Sequence, residues 1–268
     1  MHTIELIAVT AVVVTAAMRS TWSPCGRSML ASITPLAERG RGHRYGITAA
    51  WFVVGATLGG ATLGAAMAVL AAGVAAVSLG PTVVAAVAIG ACVAAAASDE
   101  RLAGFSLPVH HRQVNERWLD QFRPWAYGAG FGWQIGNGLS TYIMTAAVYL
   151  GIVLGALTAE PVLAVLLGAL FGLVRGLGVL LGRRIASTTD LQAFHRRFDA
   201  LEPAAQLGTV LVVVAAAAVF AWVLSPWAPL AVVATVLAAS ARRVAAVRVR
   251  RTEPVRPSAP RLGAETGA

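Results

Sequence analysis

The chain has 268 residues, of which 57% are hydrophobic and only 12% are charged. Soluble domains carry about 25% charged residues, so this composition excludes an ordinary water-soluble fold and predicts apolar helices in a lipid bilayer. The net charge of +9 comes from 21 arginines without any lysine. Because most of these arginines flank apolar blocks, we attribute the charge to membrane orientation and exclude nucleic acid as a partner.

The first apolar segment, residues 4–36, is too long for one straight membrane span. About 20 residues suffice to cross about 30 Å of hydrocarbon. The segment contains Trp22-Ser-Pro-Cys25-Gly26, and Pro24 removes a helical hydrogen bond at that point. We therefore predict a broken or strongly kinked helix.

Later apolar segments predict six further spans. The fourth segment, 125–157, is again over-long, and its polar, glycine-rich stretch 132–138 predicts a second interrupted helix. The other predicted spans contain no such interruption and lie at 47–77, 83–98, 161–182, 207–224 and 226–246. The apolar stretch of the last span is short.

The predicted fold class is all-α, a polytopic membrane helix bundle of two inverted three-helix repeats plus a seventh helix. The repeats occupy 1–98 and 125–225, and each opens with an interrupted helix. Because each repeat has an odd number of spans, the halves have opposite orientations, as in many transporters. A cytoplasmic loop at 99–124, the seventh helix at 226–246 and a disordered basic tail at 247–268 complete the plan.

The arginines predict the orientation of the bundle. Eighteen of the 21 lie in four stretches between or after the spans. With seven spans, the positive-inside rule places all four in the cytoplasm, the N-terminus outside and the C-terminus inside. A composition rich in Ala, Arg, Gly and Val, without lysine, is typical of a GC-rich bacterial genome. The predicted location is therefore the bacterial inner membrane.

Two cytoplasmic loops carry an apolar stripe at helical spacing. The first stripe is Val114, Trp118 and Phe122, and the second is Leu191, Phe194, Phe198 and Leu201. Each predicts a helix with one apolar face, which lies in the membrane interface or packs onto the bundle.

Glycines also recur four residues apart within the predicted spans. Small residues at this spacing allow membrane helices to approach closely, so we interpret them as packing faces. The three sets are Gly55, Gly59, Gly60 and Gly64; Gly128, Gly132 and Gly136; and Gly168, Gly172 and Gly176.

Cys25 is the candidate catalytic thiol. It lies at the predicted break of the first helix, between Arg19 and Arg27, and nearby positive charge favours the reactive thiolate. A thiolate at this place could attack a disulfide. The alternative is that Cys25 is a small buried residue beside a kink.

Ser-Pro-Cys25 in the first span, Pro35, and Gly-Phe-Gly-Trp at 130–133 in the fourth span resemble the cytochrome c biogenesis transmembrane family. This family includes CcdA and the membrane domain of DsbD. The resemblance implies inverted three-helix repeats that pass reducing equivalents across the membrane through a cysteine pair. It also implies a thioredoxin-like or cytochrome-assembly partner.

The second cysteine of that family pattern is missing here. The family's Thr-Pro-Cys is replaced by Gln-Ile-Gly at 134–136. Cys92, in the third span, is the candidate second thiol, but a cysteine among alanines is also a common packing residue. A disulfide would require Cα atoms about 4.4–6.8 Å apart.

Arg175 is the candidate binding residue for a solute. It lies within the fifth predicted span, roughly 12 Å from the arginines that end it. A charge at such depth is costly and is by default functional, for example in binding an anionic solute. The alternative is that the Arg175 side chain snorkels to the membrane interface, although this is strained over that distance. Arg19 and Arg27 would join Arg175 if the interrupted helices meet. The predicted solute path also includes Trp22, Pro24, Trp133, Gln134 and Asn137, although such polar groups often only bond helices together.

The sequence leaves three functions open: a thiol–disulfide reductant-transfer protein, a small-solute exporter on the same scaffold, and a non-catalytic membrane assembly protein. No soluble-type catalytic motif is present, and we predict neither a cofactor nor a metal site.

Overall fold

The computed structural model describes residues 3–108 and 121–230, and all regular structure in these ranges is helical. The helices are α1 (Thr3–Arg19), α2 (Pro24–Ser32), α3 (Pro35–Gly40), α4 (Tyr45–Val77), α5 (Pro81–Asp99), α6 (Pro124–Asn137), α7 (Ala147–Leu157), α8 (Pro161–Leu177), α9 (Thr188–Ala200) and α10 (Glu202–Leu224). Short 3₁₀ turns extend α1 over Ser20–Trp22 and α8 over Gly178–Arg184, and a third follows α5 at Leu102–Gly104.

Prolines determine where several helices begin, including the one after the first break. Proline opens α2, α3, α5, α6 and α8. At the first helical position it sacrifices no hydrogen bond, and its fixed φ already suits the helix. Ser23 also caps α2 by accepting a bond from the Gly26 N–H. Pro24 therefore starts a new helix, and the predicted interruption of the first segment is present.

Within residues 3–108 and 121–230, five helical segments are long and apolar enough to cross a membrane: Thr3–Trp22, Tyr45–Val77, Pro81–Asp99, Pro161–Arg184 and Thr188–Leu224. The all-helical prediction is confirmed for the described residues, and these segments are compatible with a membrane protein. Most of the predicted seventh helix, the tail and the stripe residues Val114 and Trp118 lie outside the described residues.

The second interruption lies further along the chain than the sequence predicted. Residues 132–137 are helical, and the chain leaves α6 at Gly138 and resumes at α7. Gly138 has a φ of 73°, and a Cβ there would lie 2.9 Å from the ring of Phe171. Only glycine adopts this conformation beside such a close neighbour without strain.

Glycines bring the backbones of α6 and α8 into contact with α4. A Cβ added at Gly136 or Gly172 would lie 1.9 or 2.1 Å from the carbonyl oxygen of Ala56. At Gly60 it would lie 2.3 Å from the carbonyl oxygen of Gly168. No side chain fits in these spaces, which agrees with the predicted packing role of the glycines.

The remaining helices surround this central trio and divide the buried apolar residues into two clusters. The larger cluster draws on α1, α5, α7, α8 and α10, with the later turns of α4. The second lies between α2, α6 and the first turns of α4, and includes Phe198 of α9. The two broken helices therefore contribute to both clusters.

We expect Gly60→Ala to lower the free energy of unfolding by about 1–3 kcal/mol, because the added methyl group overpacks the contact with α8. Gly73→Ala is the matched control on the same helix, since a Cβ there meets no heavy atom within 4 Å. Denaturant unfolding in detergent, followed by tryptophan fluorescence, measures both. Equal stability of the two variants would contradict the packing.

Candidate functional site

The first helix break is a tight turn between α1 and α2. The chain passes through the 3₁₀ turn Ser20–Trp22 and reaches the cap residue Ser23. A Cβ at Gly26 would lie 2.2 Å from the carbonyl oxygen of Thr21, so only glycine permits this approach. The Trp-Ser-Pro-Cys-Gly motif thus encodes the break through Ser23, Pro24 and Gly26.

Arg175 connects α8 to both broken helices. Its side chain is buried, and its Nη1 donates to the carbonyl oxygen of Ile135 at 2.7 Å, near the end of α6. Its Nη2 lies 3.5 Å from the hydroxyl oxygen of Ser23, in the first break. The last carbonyls of a helix lack internal partners and carry negative partial charge, so a guanidinium is a favourable partner there.

The charge of Arg175 has no carboxylate partner among residues 3–108 and 121–230, where the ion pairs involve other arginines. Its Nε is buried and without a hydrogen-bond partner in the same ranges. The guanidinium lies 5.9 Å from the ring centroid of Phe171 and within electrostatic reach of Cys25. Such a buried cation favours the approach of an anion.

Arg19 joins the two breaks directly. Its Nη1 lies 3.5 Å from the sulfur of Met144, which belongs to the second break. Its Nη2 donates to Glu202 at 3.3 Å, at the start of α10. The same carboxylate accepts a bond from Arg27 at 3.0 Å, and Arg27 also pairs with Asp199 at 3.2 Å. Arg19 thus contacts the second break, and Arg19 and Arg27 share the carboxylate of Glu202.

A cavity of about 940 Å³ lies where the breaks face each other. It is bounded by the first break, the end of α5, the segment 104–108, the second break and the first turns of α10. Its ionisable lining residues balance in formal charge, with Arg19, Arg27 and Arg101 against Asp99, Glu100 and Glu202. The lining therefore combines charged groups of both signs with apolar residues.

Two buried or partly buried carboxylates at functional positions were missed in the sequence. Asp99 accepts bonds from the Thr145 hydroxyl at 2.5 Å and from the Ala146 N–H at 2.6 Å, and so caps α7 from the end of α5. Glu38 is fully buried and bonded to Tyr127 and Thr48. One signal was available for Glu38: the chain has no other acidic residue between Glu5 and Asp99.

The predicted path residues separate into two groups. Trp22 and Pro24 line the cavity together with Arg19 and Arg27. Trp133 and Gln134 do not line it, and the Trp133 side chain is exposed on the outside of α6.

Asn137 bonds helical elements to each other, which is the alternative role given above for the polar groups of the predicted path. Its Nδ2 donates to the hydroxyl of Thr62 on α4 at 3.1 Å, and its Oδ1 accepts from Ser140 at 3.0 Å. It therefore ties α4 to the second break.

Two residues of the second apolar stripe, Phe194 and Phe198, pack onto the bundle, whereas Leu201 is exposed. A capping box between Ser187 and Asp190 starts α9. The ring of Phe198 stacks on Trp22 with centroids 4.5 Å apart and also on Phe194. The Trp22 indole N–H donates to the Phe198 carbonyl at 2.9 Å, so α9 is attached to the first break.

The two cysteines lie in different parts of the core. Cys25 belongs to the cluster of α2 and α6, whereas Cys92 belongs to the cluster of α1, α5 and α10. Both are buried thiols, and no disulfide joins them. The arrangement brings Cys25 to Arg175 but does not bring Cys92 to Cys25.

No protein-family profile, no characterised protein and no solved structure matches this chain. The resemblance to the cytochrome c biogenesis transmembrane family therefore stays a prediction from sequence motifs. Function has to be argued from the geometry of the site.

We expect Glu202→Gln to lower the free energy of unfolding by about 1–3 kcal/mol, because buried Arg19 loses its carboxylate. Asp199→Asn is the control: it removes only a half-exposed pair with Arg27, which is worth at most about 1 kcal/mol. Thermal unfolding in detergent compares them. A larger loss for Asp199→Asn would show that Glu202 does not anchor α10 to the breaks.

We also expect mild copper-catalysed oxidation of the folded protein to yield no disulfide between Cys25 and Cys92, because the thiols lie in separate clusters. The mass of the intact protein reports the loss of two hydrogens that a disulfide entails. Protein unfolded in denaturant is the positive control. Rapid disulfide formation in the folded protein would contradict the placement of these helices.

Proposed function

We propose that the chain is a multi-pass membrane protein that exports a small anionic solute through a site between its two broken helices. The observation that carries this proposal is Arg175, a buried cation that contacts both broken helices and has no carboxylate partner among the described residues. Intramembrane charges that face a bundle interior commonly mark solute pathways.

The contacts between helices support the inverted-repeat part of the proposal. In this scheme α1 with α2, α4 and α5 corresponds to α6 with α7, α8 and α10. The equivalent helices α4 and α8, and α5 and α10, pack against each other. The broken helix of each half also packs against the third helix of the other, in the pairs α1–α10 and α7–α5. The pairs α4–α8 and α5–α10 are contacts that a twofold axis in the membrane plane would produce, whereas α1–α10 and α7–α5 involve different halves of the two broken helices and do not map onto each other.

The helix ends at the breaks favour an anion. Both α2 and α7 begin at a break, and the N-terminus of a helix carries positive partial charge. The carboxylate of Asp99 already occupies the N-terminus of α7. The N-terminus of α2 instead lies beside the Arg175 guanidinium, through Ser23. This pair of positive groups is the region where we place the solute.

The cavity supplies the aqueous approach to this region. Its lining includes the end of α5 and the start of α10. In the orientation that the arginines predict, both ends are cytoplasmic. Solute would enter this vestibule from the cytoplasm and reach Arg175 when the breaks separate, which gives export as the direction.

The test uses purified protein in liposomes on a solid-supported membrane, with gradients of sodium acetate, sodium glutamate and sodium phosphate as probes. We expect Arg175→Gln to reduce the wild-type current at least about tenfold, since a lost bond to a charged group costs about 1.5–3 kcal/mol and 1.4 kcal/mol is tenfold. Arg183→Gln is the matched control, because Arg183 is exposed beyond α8. Wild-type currents in Arg175→Gln would overturn the proposed site.

A second candidate function follows from the position of Cys25 in the first break, two residues after Ser23, whose hydroxyl lies 3.5 Å from Arg175. The thiolate form of a cysteine attacks disulfides. As a single thiol, Cys25 would form a mixed disulfide with a thioredoxin-like partner. Cys25→Ser discriminates between the two functions: it leaves anion currents intact in an exporter and abolishes thiol exchange in a redox protein. If neither Arg175→Gln nor Cys25→Ser impairs the protein's function in cells, the non-catalytic assembly role is favoured.

A further inference from the structure

Glu38 lies in a buried polar cluster that the proposed solute site does not use. Its side chain has no exposed surface, although it sits in the short helix α3. The Tyr127 hydroxyl lies 2.6 and 2.5 Å from its two oxygens, and the Thr48 hydroxyl lies 2.5 Å from one of them. Arg41 donates to the other at 3.1 Å. The carboxylate thereby connects α3, α4 and α6.

The partners of Glu38 can satisfy it with or without a proton. An ionised carboxylate only accepts hydrogen bonds, and the hydroxyls of Thr48 and Tyr127 and the guanidinium of Arg41 supply three donors. A protonated carboxyl also needs an acceptor, and a hydroxyl oxygen is one. The two hydroxyls lie 3.3 Å apart, and either can donate to the other. A network of hydroxyls can therefore reverse its direction, which a network of N–H donors cannot.

The groups facing Glu38 come from three elements. Arg41, in the turn after α3, is the only cation paired with it in the described part of the chain, and Tyr127 is the ionisable group on α6. Thr48, on α4, is polar but uncharged. His43 belongs to the same turn as Arg41, and its backbone N–H donates to the Glu38 carbonyl at 2.8 Å.

His43 connects this cluster to the surface. Its ring centroid lies 6.2 Å from that of Tyr127, while the residue as a whole is partly exposed. Its Nδ1 is buried and has no hydrogen-bond partner within the described ranges. An unsatisfied nitrogen at this place can take a bond from a water that enters between the turn and α6.

We propose that Glu38 is a proton-binding site. One proton from the aqueous phase, entering past His43, forms an O–H bond with a carboxylate oxygen of Glu38. The Tyr127 and Thr48 hydroxyls then reorient so that one oxygen accepts from the new carboxyl group. Arg41 keeps its charge, so the charge of the cluster rises by one. The ionic bond between Glu38 and Arg41 is weakened, and with it the connection between α3 and α6.

The proton site is mechanically connected to Arg175 through α6. Tyr127 and Ile135 lie about two helical turns apart on one face of α6, which is roughly 12 Å along its axis. Tyr127 bonds to Glu38, and the carbonyl of Ile135 bonds to Arg175. A change at Glu38 therefore reaches the solute site, so that a proton becomes the co-substrate of transport. This last step rests on the proposed function, whereas proton binding by Glu38 does not.

Infrared difference spectroscopy of the full-length protein in lipid tests proton binding. Between alkaline and acidic buffer we expect a carboxylic-acid C=O band that is absent in Glu38→Gln and retained in Glu160→Gln. Tyr127→Phe is the second variant if Glu38→Gln does not fold: it should keep the band and move its midpoint to higher pH. A full band in Glu38→Gln, or a midpoint unmoved in Tyr127→Phe, would overturn the proposal.

Anion currents then test the coupling separately. With an imposed pH gradient, we expect wild-type currents of the active probe to rise several-fold and those of Glu38→Gln to stay at the level without a gradient. Arg175→Gln should give currents at least about tenfold below those of the wild type in both conditions. A pH response retained in Glu38→Gln would refute the coupling. Absence of current in the wild type would refute the transport function and leave the infrared result on Glu38 standing.

Discussion

Direct backbone contact between α4 and its two neighbours is the constraint on which the other features depend. Gly60 and Gly172 leave no room for a side chain between α4 and α8, and Gly136 does the same between α4 and α6. This close approach brings α8 near enough to α6 for Arg175 to reach the Ile135 carbonyl. A larger residue on these faces would separate the helices, and the guanidinium would lose the acceptor that stabilises its buried charge. Packing therefore comes first, and the electrostatic site is its consequence.

The two breaks are stable because the helix ends they create find partners. Ser23 caps α2, and the carboxylate of Asp99 caps α7 from another helix. At the end of α6, the Ile135 carbonyl accepts from the Gly138 N–H and, in addition, from Arg175. Irregular backbone at membrane depth is tolerated only where protein or a water-filled cavity surrounds it. In this protein, side chains lie on one side of the breaks and the cavity on the other.

Parts of this arrangement could be predicted from the sequence because local chemistry decides them. Uninterrupted apolar runs gave α4 and α5 nearly to their ends, and Pro24 with Ser23 gave the first break. The second break could not be located, because glycines in a membrane helix serve packing as readily as interruption. Gly138 is distinguished from its neighbours by its backbone conformation and by the position of Phe171, neither of which is local.

The candidate site was predictable where a local signal marked a residue, as the break motif marked Trp22 and Pro24 and an apolar span marked Arg175. Arg175 stood out because a charge interrupts an apolar span, and the structure buries it where the breaks meet. The surroundings of Glu38 depend on which helices become neighbours, so its partner Tyr127 could not be inferred from a position 89 residues away. For the same reason Trp133, predicted to line the path, lies on the outer face of α6.

The central claim is that both breaks open onto one water-filled cavity inside a membrane bundle, and cysteine accessibility in vesicles tests it most directly. In a cysteine-free background, Tyr142→Cys and Gln206→Cys place a thiol on the cavity lining, in the second break and on α10. Trp222→Cys, on the outer surface of α10, is the lipid-facing control. The account predicts that a membrane-impermeant thiosulfonate modifies both cavity positions from the side of the arginine-rich loops only, and Trp222→Cys from neither side. Modification of the two cavity positions from opposite sides, or of neither, would contradict it.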